Sequence, residues 1–331
     1  MNTSDVLNQK KLLNEYKQGK RNFQGIKVVK ADFSQCSLNQ INLSKAELKR
    51  ANFSEALLIG ANLNGADLYG ANFGGVTGIE ANFSRSILTD AYLKKADLSG
   101  ALMSGTILNG ADLKNACLIG SSLIFGQMIQ TNLQSANLTG AVLTKAVLTK
   151  ANLTFANLTR AMLTEANLSE AKLTQARLIR AYLHRVDLRK ADLEQADLSF
   201  ADLRHANLEG ANLKGANLEG ANLTEANLKG VNLANGNLKG AELSKANLKN
   251  AKLTRANLTG SNLLHANLEG ANLSAANLTQ AGLLLSYLTG ANLSKANLSE
   301  ANLIGANLNQ ANLLAASLEQ TIMPNGSKSM T

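Results

Sequence analysis

The 331-residue chain has no tryptophan, one proline and two cysteines, and aromatic residues make up 4% of it. An ordinary globular core takes much of its bulk from aromatic rings. Hydrophobic residues still make up 45% of the chain, so the bulk must come from leucine and alanine. That points to regular packing of small units within one or two domains. No apolar run approaches the roughly 18 residues a membrane helix needs. The opening MNTSDVLNQKKLLNEYKQGK is polar and has no apolar h-region, so no secretory signal and a cytoplasmic location are expected. Cys36 and Cys117 are too few for a disulfide framework or a Cys-based metal site. His184, His205 and His265 show no zinc-ligand spacing.

The formal charge is +9. Between residues 10 and 30, Lys10, Lys11, Lys17, Lys20, Arg21, Lys27 and Lys30 face Glu15 alone. The rest of the chain is close to balance. A solvated, lysine-rich cap is the plainer reading of this end. Contact with nucleic acid or an anionic membrane surface is the alternative.

What the sequence does have is a period of five. Its central residue, i, falls at Phe23, Val28, Phe33, Leu38, Leu43 and every fifth position to Met323, which makes 61 units without a phase slip. Only Gly78 among them is not Leu, Phe, Met or Val. Position i−2 is Ala in 45 units, i−1 is mostly Asn or Asp, i+1 is often Ser, Thr or Lys, and i+2 is often Gly. Five helical residues advance about 500°, so the apolar stripe would wander round a helix. An odd period throws apolar residues onto alternate faces of a continuous strand. What remains is a very short extended segment, with i−2 and i on one side, followed by a corner. Gly at i+2 suits that corner because it tolerates positive φ. Corners of one hand close into a coil, and coils pair edge to edge at about 4.8 Å.

These A-(N/D)-L-x-x units, purest in ANLEGANLKGANLEGANLTEANL (206–228), resemble the pentapeptide-repeat family over residues 21–323. LLNEYKQGKRNFQGI and the closing TIMPNGS resemble the ends of cyanobacterial members. The resemblance implies an all-β solenoid, a right-handed quadrilateral β-helix in which four units make one square coil. It also implies about 15 coils and a rod roughly 70 Å long. Residue n then stacks on n+20. Phe33, Phe53 and Phe73 should stack inside, with Phe23 and Phe83 in another column. Cys36 and Cys117 fall about four coils, roughly 19 Å, apart, too far for a disulfide. His205 and His265 share a column about 14 Å apart, with His184 elsewhere.

The expected organisation is an N-terminal capping helix within 1–20, the repeat body over 21–323, and a flexible tail over 324–331. Thr3 or Ser4 would start a helix over 4–18 carrying Val6, Leu7, Leu12, Leu13 and Tyr16, and Gly19 would stop it. The C-terminal coil has no such plug, which leaves end-to-end homodimerisation or a short self-covering turn. At Gly74–Gly78 a core leucine is missing, which should loosen that coil. The leading candidate partner-binding patch is Leu264, Leu284 and Ile304, all at i+1 and twenty apart, with Leu285 beside them. A second candidate is Ile119, Ile124, Phe125 and Ile129 at outward positions, with Gly126 replacing the inner Ala.

Lys145, Glu165 and Arg185 alternate down one column, and Lys150, Glu170 and Lys190 down the next, as weak rung-to-rung pairs. Asp187, Asp192, Asp197 and Asp202 fall on four faces and make neither a metal site nor an acid/base pair. Ser and Thr at i+1 point outward on a convex rod without a pocket, so no catalytic set converges. No enzyme activity, cofactor or metal is expected. The chain reads as a scaffold for protein–protein interaction. Two alternatives are a DNA mimic acting on an enzyme such as gyrase, disfavoured by the positive charge, and anionic-surface binding by the N-terminal end.

Overall fold

A computed structural model describes the backbone of residues 3–329 and the side chains of residues 9–329. The chain divides into two compact units, Met1–Asn167 and Leu168–Thr331. Both are built the same way.

Helix α1 spans Thr3–Lys17. It ends at Gly19, which takes a φ of 97°. The Gly19 amide bonds the Tyr16 carbonyl and the Lys20 amide bonds the Glu15 carbonyl, both at 3.0 Å. These two bonds are a Schellman stop, which satisfies carbonyls a bare helix end would orphan. Leu12 is buried, Leu13 and Tyr16 are half-buried, and the Tyr16 hydroxyl donates to the Asn39 carbonyl at 3.0 Å. Gln9 is hydrogen-bonded to Asp32. The helix therefore packs on the first coil. The side chains of Val6 and Leu7 lie outside the described residues.

Beyond Gly19 every five-residue unit repeats one backbone plan. The residue before the core leucine forms a parallel bridge with the residue twenty further on, as in Asn42 to Asn62 to Asn82. Three bonds per unit tie successive coils. In the first unit of the chain, the Leu63 amide donates to the Asn82 carbonyl at 2.7 Å, Asn62 to Ile41 at 2.8 Å, and Gly65 to Ser84 at 2.8 Å. In the second, Leu213 donates to Asn232 at 2.7 Å, Asn212 to Ala191 at 2.9 Å, and Gly215 to Ala234 at 2.9 Å. Leu and Ala point inward and are almost entirely buried. Each buried leucine contributes about 1.5–3 kcal/mol of transfer free energy.

The corner has a definite geometry. The residue after it bonds back to the core leucine, as when the Ala66 amide donates to the Leu63 carbonyl at 3.0 Å. Every fifth residue from Gly25 to Gln320 takes φ between 54° and 69°, glycine or not. A negative φ followed by a positive one, closed by that bond, is a type II turn. Side chains as bulky as Phe155 and Phe200 are held in this left-handed region. Each non-Gly residue there carries a conformational cost of about 1 kcal/mol or more. Ala275→Gly is therefore expected to stabilise the protein by about 0.5–1 kcal/mol. Gly230→Ala, with nothing within 4 Å of the added Cβ, is expected to lose a similar amount. Urea midpoints of the two variants check this, and equal stabilities would remove strain as the explanation.

The Asn or Asp at i−1 closes the turn from outside. The Asn62 Oδ1 accepts the Asn64 amide at 3.1 Å, while its Nδ2 donates to the Asn42 Oδ1 at 3.2 Å. In the second unit Asn232 donates to Asn212 at 3.0 Å, and Asn212 to Asp192 at 2.9 Å. Outward polarity here is structural as well as solvating. Ser or Thr in place of the inner Ala returns its hydroxyl to a core carbonyl, as Ser86 does to Phe83 at 2.7 Å.

The phenylalanines stack as the twenty-residue spacing predicts. Ring centroids are 5.0 Å apart for Phe33–Phe53 and 4.9 Å for Phe53–Phe73, and Phe83 meets Phe73 edge-on at 5.6 Å. At Gly78 the ladder is unbroken, since its amide reaches the Asp97 carbonyl at 2.7 Å. Leu98 Cδ2 lies 3.1 Å from where a Cβ would stand, so the neighbouring rung occupies part of the space of the missing side chain. Both cysteines are free and half-buried. The Cys117 Sγ lies 3.1 Å from the Ser99 hydroxyl, and burial pushes the Cys36 thiol up.

At the C-terminal end Leu308, Leu313, Leu318 and Met323 are only half-buried. The chain turns back beyond Pro324 through an antiparallel bridge between Ile322 and Lys328, with Gly326 at φ 82°. Of the two treatments of this end that the sequence allows, a short self-covering turn is present in the described residues.

Candidate interaction surfaces

The Leu264–Ile304 column follows from the ladder. The Lys245 amide donates to the Leu264 carbonyl at 2.8 Å, His265 to Leu284 at 3.1 Å, and Leu285 to Ile304 at 2.9 Å. Leu264, Leu284 and Ile304 therefore stand on three consecutive rungs. Ile304 and Leu285 are exposed, while Leu264 and Leu284 are half-buried. Leu285 lies over Gly305, within 2.6 Å of where a Cβ would stand. On the next rung the Pro324 carbonyl accepts the Gly305 amide at 3.0 Å. The four candidate residues are brought together.

The second candidate set behaves differently. Ile119, Ile124 and Ile129 flank successive ladders, so they form no column. Ile119, Phe125 and Ile129 are exposed and Ile124 is half-buried. The Lys145 ammonium lies 5.9 Å from the Phe125 ring centre.

Charges interleave along the walls. Lys145 meets Glu165 at 3.5 Å, Lys214 meets Glu194 at 3.2 Å, and Lys249 meets Glu269 at 2.8 Å. All are exposed and worth little individually. In the acidic ring, Asp187 and Asp202 each bind the arginine two residues on, Asp192 accepts from Thr174, and Asp197 accepts from Asn217. The Arg204 guanidinium holds the Asp202 carboxyl below its usual range. At the basic N-terminal end, Lys20 pairs with Glu15 at 2.6 Å, Lys27 pairs with Glu47 at 2.7 Å, and Arg21 lies 4.1 Å from the Tyr16 ring centre.

Two expectations need correction. His184 does not stand apart, because its ring meets His205 edge to face at 5.3 Å. The i+1 residue of one coil and the i+2 residue of the next are neighbours, so 21 is also a contact distance in sequence. The surface is also not wholly without pockets. An open cleft of about 390 Å³ lies between α1 and the first coil, lined by Lys11, Leu12, Glu15, Lys20 and Phe23 among others. It arises because a cylinder cannot follow the corners of the coil end. Among the described residues no three His, Cys, Asp or Glu side chains gather as a metal site. No helix among them is long and apolar enough to cross a membrane.

Parallel bridges twenty residues apart, with a corner every five, define a parallel β-helix. The model of pentapeptide repeats matches eight times, at residues 29–65, 56–91, 86–123, 127–164, 161–199, 201–240, 241–280 and 286–323. The chain belongs to the pentapeptide-repeat family, whose fold is the right-handed β-helix. It is similar to HetL, a pentapeptide repeat protein involved in heterocyst differentiation regulation from the cyanobacterium Nostoc sp. strain PCC 7120. The two share 30% identity over 96% of this chain and 98% of that one, with a TM-score of 0.21. Rfr23 from the cyanobacterium Cyanothece 51142 shares 34% identity over 34% of this chain and 63% of its own, with a TM-score of 0.21. QnrB1, a plasmid-mediated fluoroquinolone resistance protein, shares 19% identity over 62% of this chain and 89% of its own, with a TM-score of 0.34. No curated protein matches the chain.

Proposed function

We propose that the protein is a non-catalytic, cytoplasmic scaffold that docks a protein partner on Leu264, Leu284, Leu285 and Ile304. In this reading 1–20 holds the capping helix, 21–323 is a body of about 15 four-sided coils, and 324–331 is a flexible C-terminal tail. One observation carries the docking site. Three bulky aliphatic side chains stand one above another on consecutive rungs, at a position most often given to Ser, Thr, Lys or Glu. Aligned exposed apolar residues mark interaction sites more than scattered ones do. The backbone bonds that hold the rungs in register leave such a surface little entropy to lose on binding. Interleaved Lys–Glu pairs and a net positive charge oppose duplex mimicry, which requires a strongly negative surface. The half-buried leucines of the last coil support end-to-end pairing as a further use of the scaffold.

The test is a pull-down from the native host with the wild-type chain and a Leu284→Ser/Ile304→Ser variant as baits. The variant is expected to keep its melting temperature and to lose its partner at least about tenfold, as at a hot spot. An unchanged set of partners removes this face as the docking site.

A further inference from the structure

Gly74 is the only glycine at i+1 among the 61 units. Unlike its neighbour Gly75, at φ 65°, it does not lie in the left-handed region, so the backbone does not require glycine there. What the missing side chain provides is room. The Tyr92 ring lies over Gly74, with Cε1 2.8 Å and Cδ1 3.1 Å from where a Cβ would stand. Tyr92 occupies i−1, where Asn or Asp prevails, in the ladder Asn72–Tyr92–Asp112. It is 43% exposed, so part of the ring is seated on backbone and part is open. Beside it is a cavity of about 320 Å³ lined by Glu55, Gly74, Gly75, Tyr92, Lys95 and Asn115 among others.

The two ends of this cavity differ in charge. The Glu55 amide donates to the Gly74 carbonyl at 2.9 Å, Gly75 to Lys94 at 2.9 Å, and Lys95 to Lys114 at 3.0 Å. Glu55, Gly75, Lys95 and Asn115 therefore follow one another down one corner of the coils. The Glu55 Cγ lies 3.5 Å from where a Gly75 Cβ would stand. One Glu55 oxygen accepts from the Gln35 amide at 2.9 Å. Among the described residues neither Glu55 nor Lys95 makes an ion pair. Lys94 is already occupied, since its ammonium meets Asp112 at 3.1 Å and lies 5.0 Å from the Tyr92 ring centre. Opposite charges on adjacent rungs meet directly, as Lys145 and Glu165 do. Here Gly75 holds them two rungs, about 10 Å, apart and puts no side chain between them.

We propose that this cavity binds an elongated zwitterion, a small molecule with a cationic group at one end and a carboxylate at the other. The cationic group pairs with the free oxygen of Glu55. The carboxylate meets the Lys95 ammonium and the Asn115 amide. The apolar stem between them lies on the Tyr92 ring and the bare backbone of Gly74 and Gly75. A ligand of one charge would satisfy one end and leave the other unpaired. A zwitterion with its charges on neighbouring atoms would not span the gap that Gly75 leaves. The volume is at the small end for ligand pockets and suits a molecule of amino-acid size. None of the residues of the Leu264–Ile304 column takes part.

The probe is 6-aminohexanoate, titrated into the full chain and followed by amide NMR shifts. The expected result is saturable binding with a Kd on the order of 1 mM or below, centred on the Gly74, Gly75 and Lys95 amides. Hexanoate and hexylamine, which carry one charge each, and glycine, whose charges are too close, should bind at least about tenfold more weakly. Glu55→Gln and Lys95→Gln alter exposed side chains and should each weaken binding at least about tenfold with an unchanged melting temperature. Gly74→Ala, which displaces the Tyr92 ring, should do the same. No saturable binding up to about 20 mM overturns the proposal. So does hexylamine or hexanoate binding as well as 6-aminohexanoate, or binding indifferent to both charge substitutions.

Discussion

Phe53→Ala is expected to destabilise the protein by about 3–5 kcal/mol, the range for truncating a buried aromatic residue. Phe53 is fully buried and stacks on Phe33 at 5.0 Å and Phe73 at 4.9 Å, so truncation removes both ring contacts at once. The walls cannot close over the gap. The Phe33 amide to Asn52 carbonyl bond, 2.7 Å, and the Phe53 to Asn72 bond, 2.6 Å, fix the rung spacing. Phe53→Leu places the residue that fills most other rungs and should cost about 1 kcal/mol, as roughly volume-conserving swaps do. Because stability in a solenoid sums over neighbouring coils, the alanine variant should open its N-terminal coils first. Hydrogen exchange at the Phe33, Phe53 and Phe73 amides would show this. A loss below about 1 kcal/mol for Phe53→Ala would mean that the rung relaxes into the space.

The second large effect concerns phase. Deleting the twenty residues 211–230 removes one full circuit and leaves every remaining residue in its own ladder. The rungs Leu213–Asn232 and Gly215–Ala234 disappear, and the flanking coils meet in the same register. That variant should fold cooperatively and lose about one coil's share of stability. Deleting Gly220 alone should be far worse. Downstream of the cut each leucine would fall where a neighbouring coil presents another position of the unit. Left-handed corners would then face extended segments, and the buried bonds could not pair. We expect a loss of more than about 4 kcal/mol or separate unfolding of the two sides of the cut. Thermal melts of the two deletions compare them directly. A single-residue deletion that melts like the twenty-residue one would refute register as the organising constraint.

How much of this was legible in the sequence depended on the position in the unit. The inner column was plain, because leucine and alanine at i and i−2 admit few geometries. The phenylalanine stack followed from the twenty-residue circuit that the family resemblance implies. The left-handed corner was visible where glycine stands, as at Gly65. It was not visible at Phe155 or Phe200, whose preferences oppose it. Tertiary bonding overrides propensity there, as when the Phe200 amide donates to the Glu219 carbonyl at 2.9 Å. At i−1 the sequence showed only that Asn and Asp prevail, although these side chains also close turns, as Asn62 does for the Asn64 amide. The contact between His184 and His205 was missed because spacing was counted in whole circuits. The ladder of Leu102, Ser122, Val142 and Met162 did leave a signal, namely apolar residues at i−1 where Asn and Asp prevail.

The bonds that tie coil to coil all run along the solenoid, from each circuit to the next. Within either unit they are therefore loaded one circuit at a time when the chain is pulled from its end, as thread leaves a bobbin. Each circuit released would add about 60–70 Å of extended chain before the next began to yield. Mechanical resistance in such a molecule is set by its weakest exposed turn and is insensitive to how many circuits lie behind it.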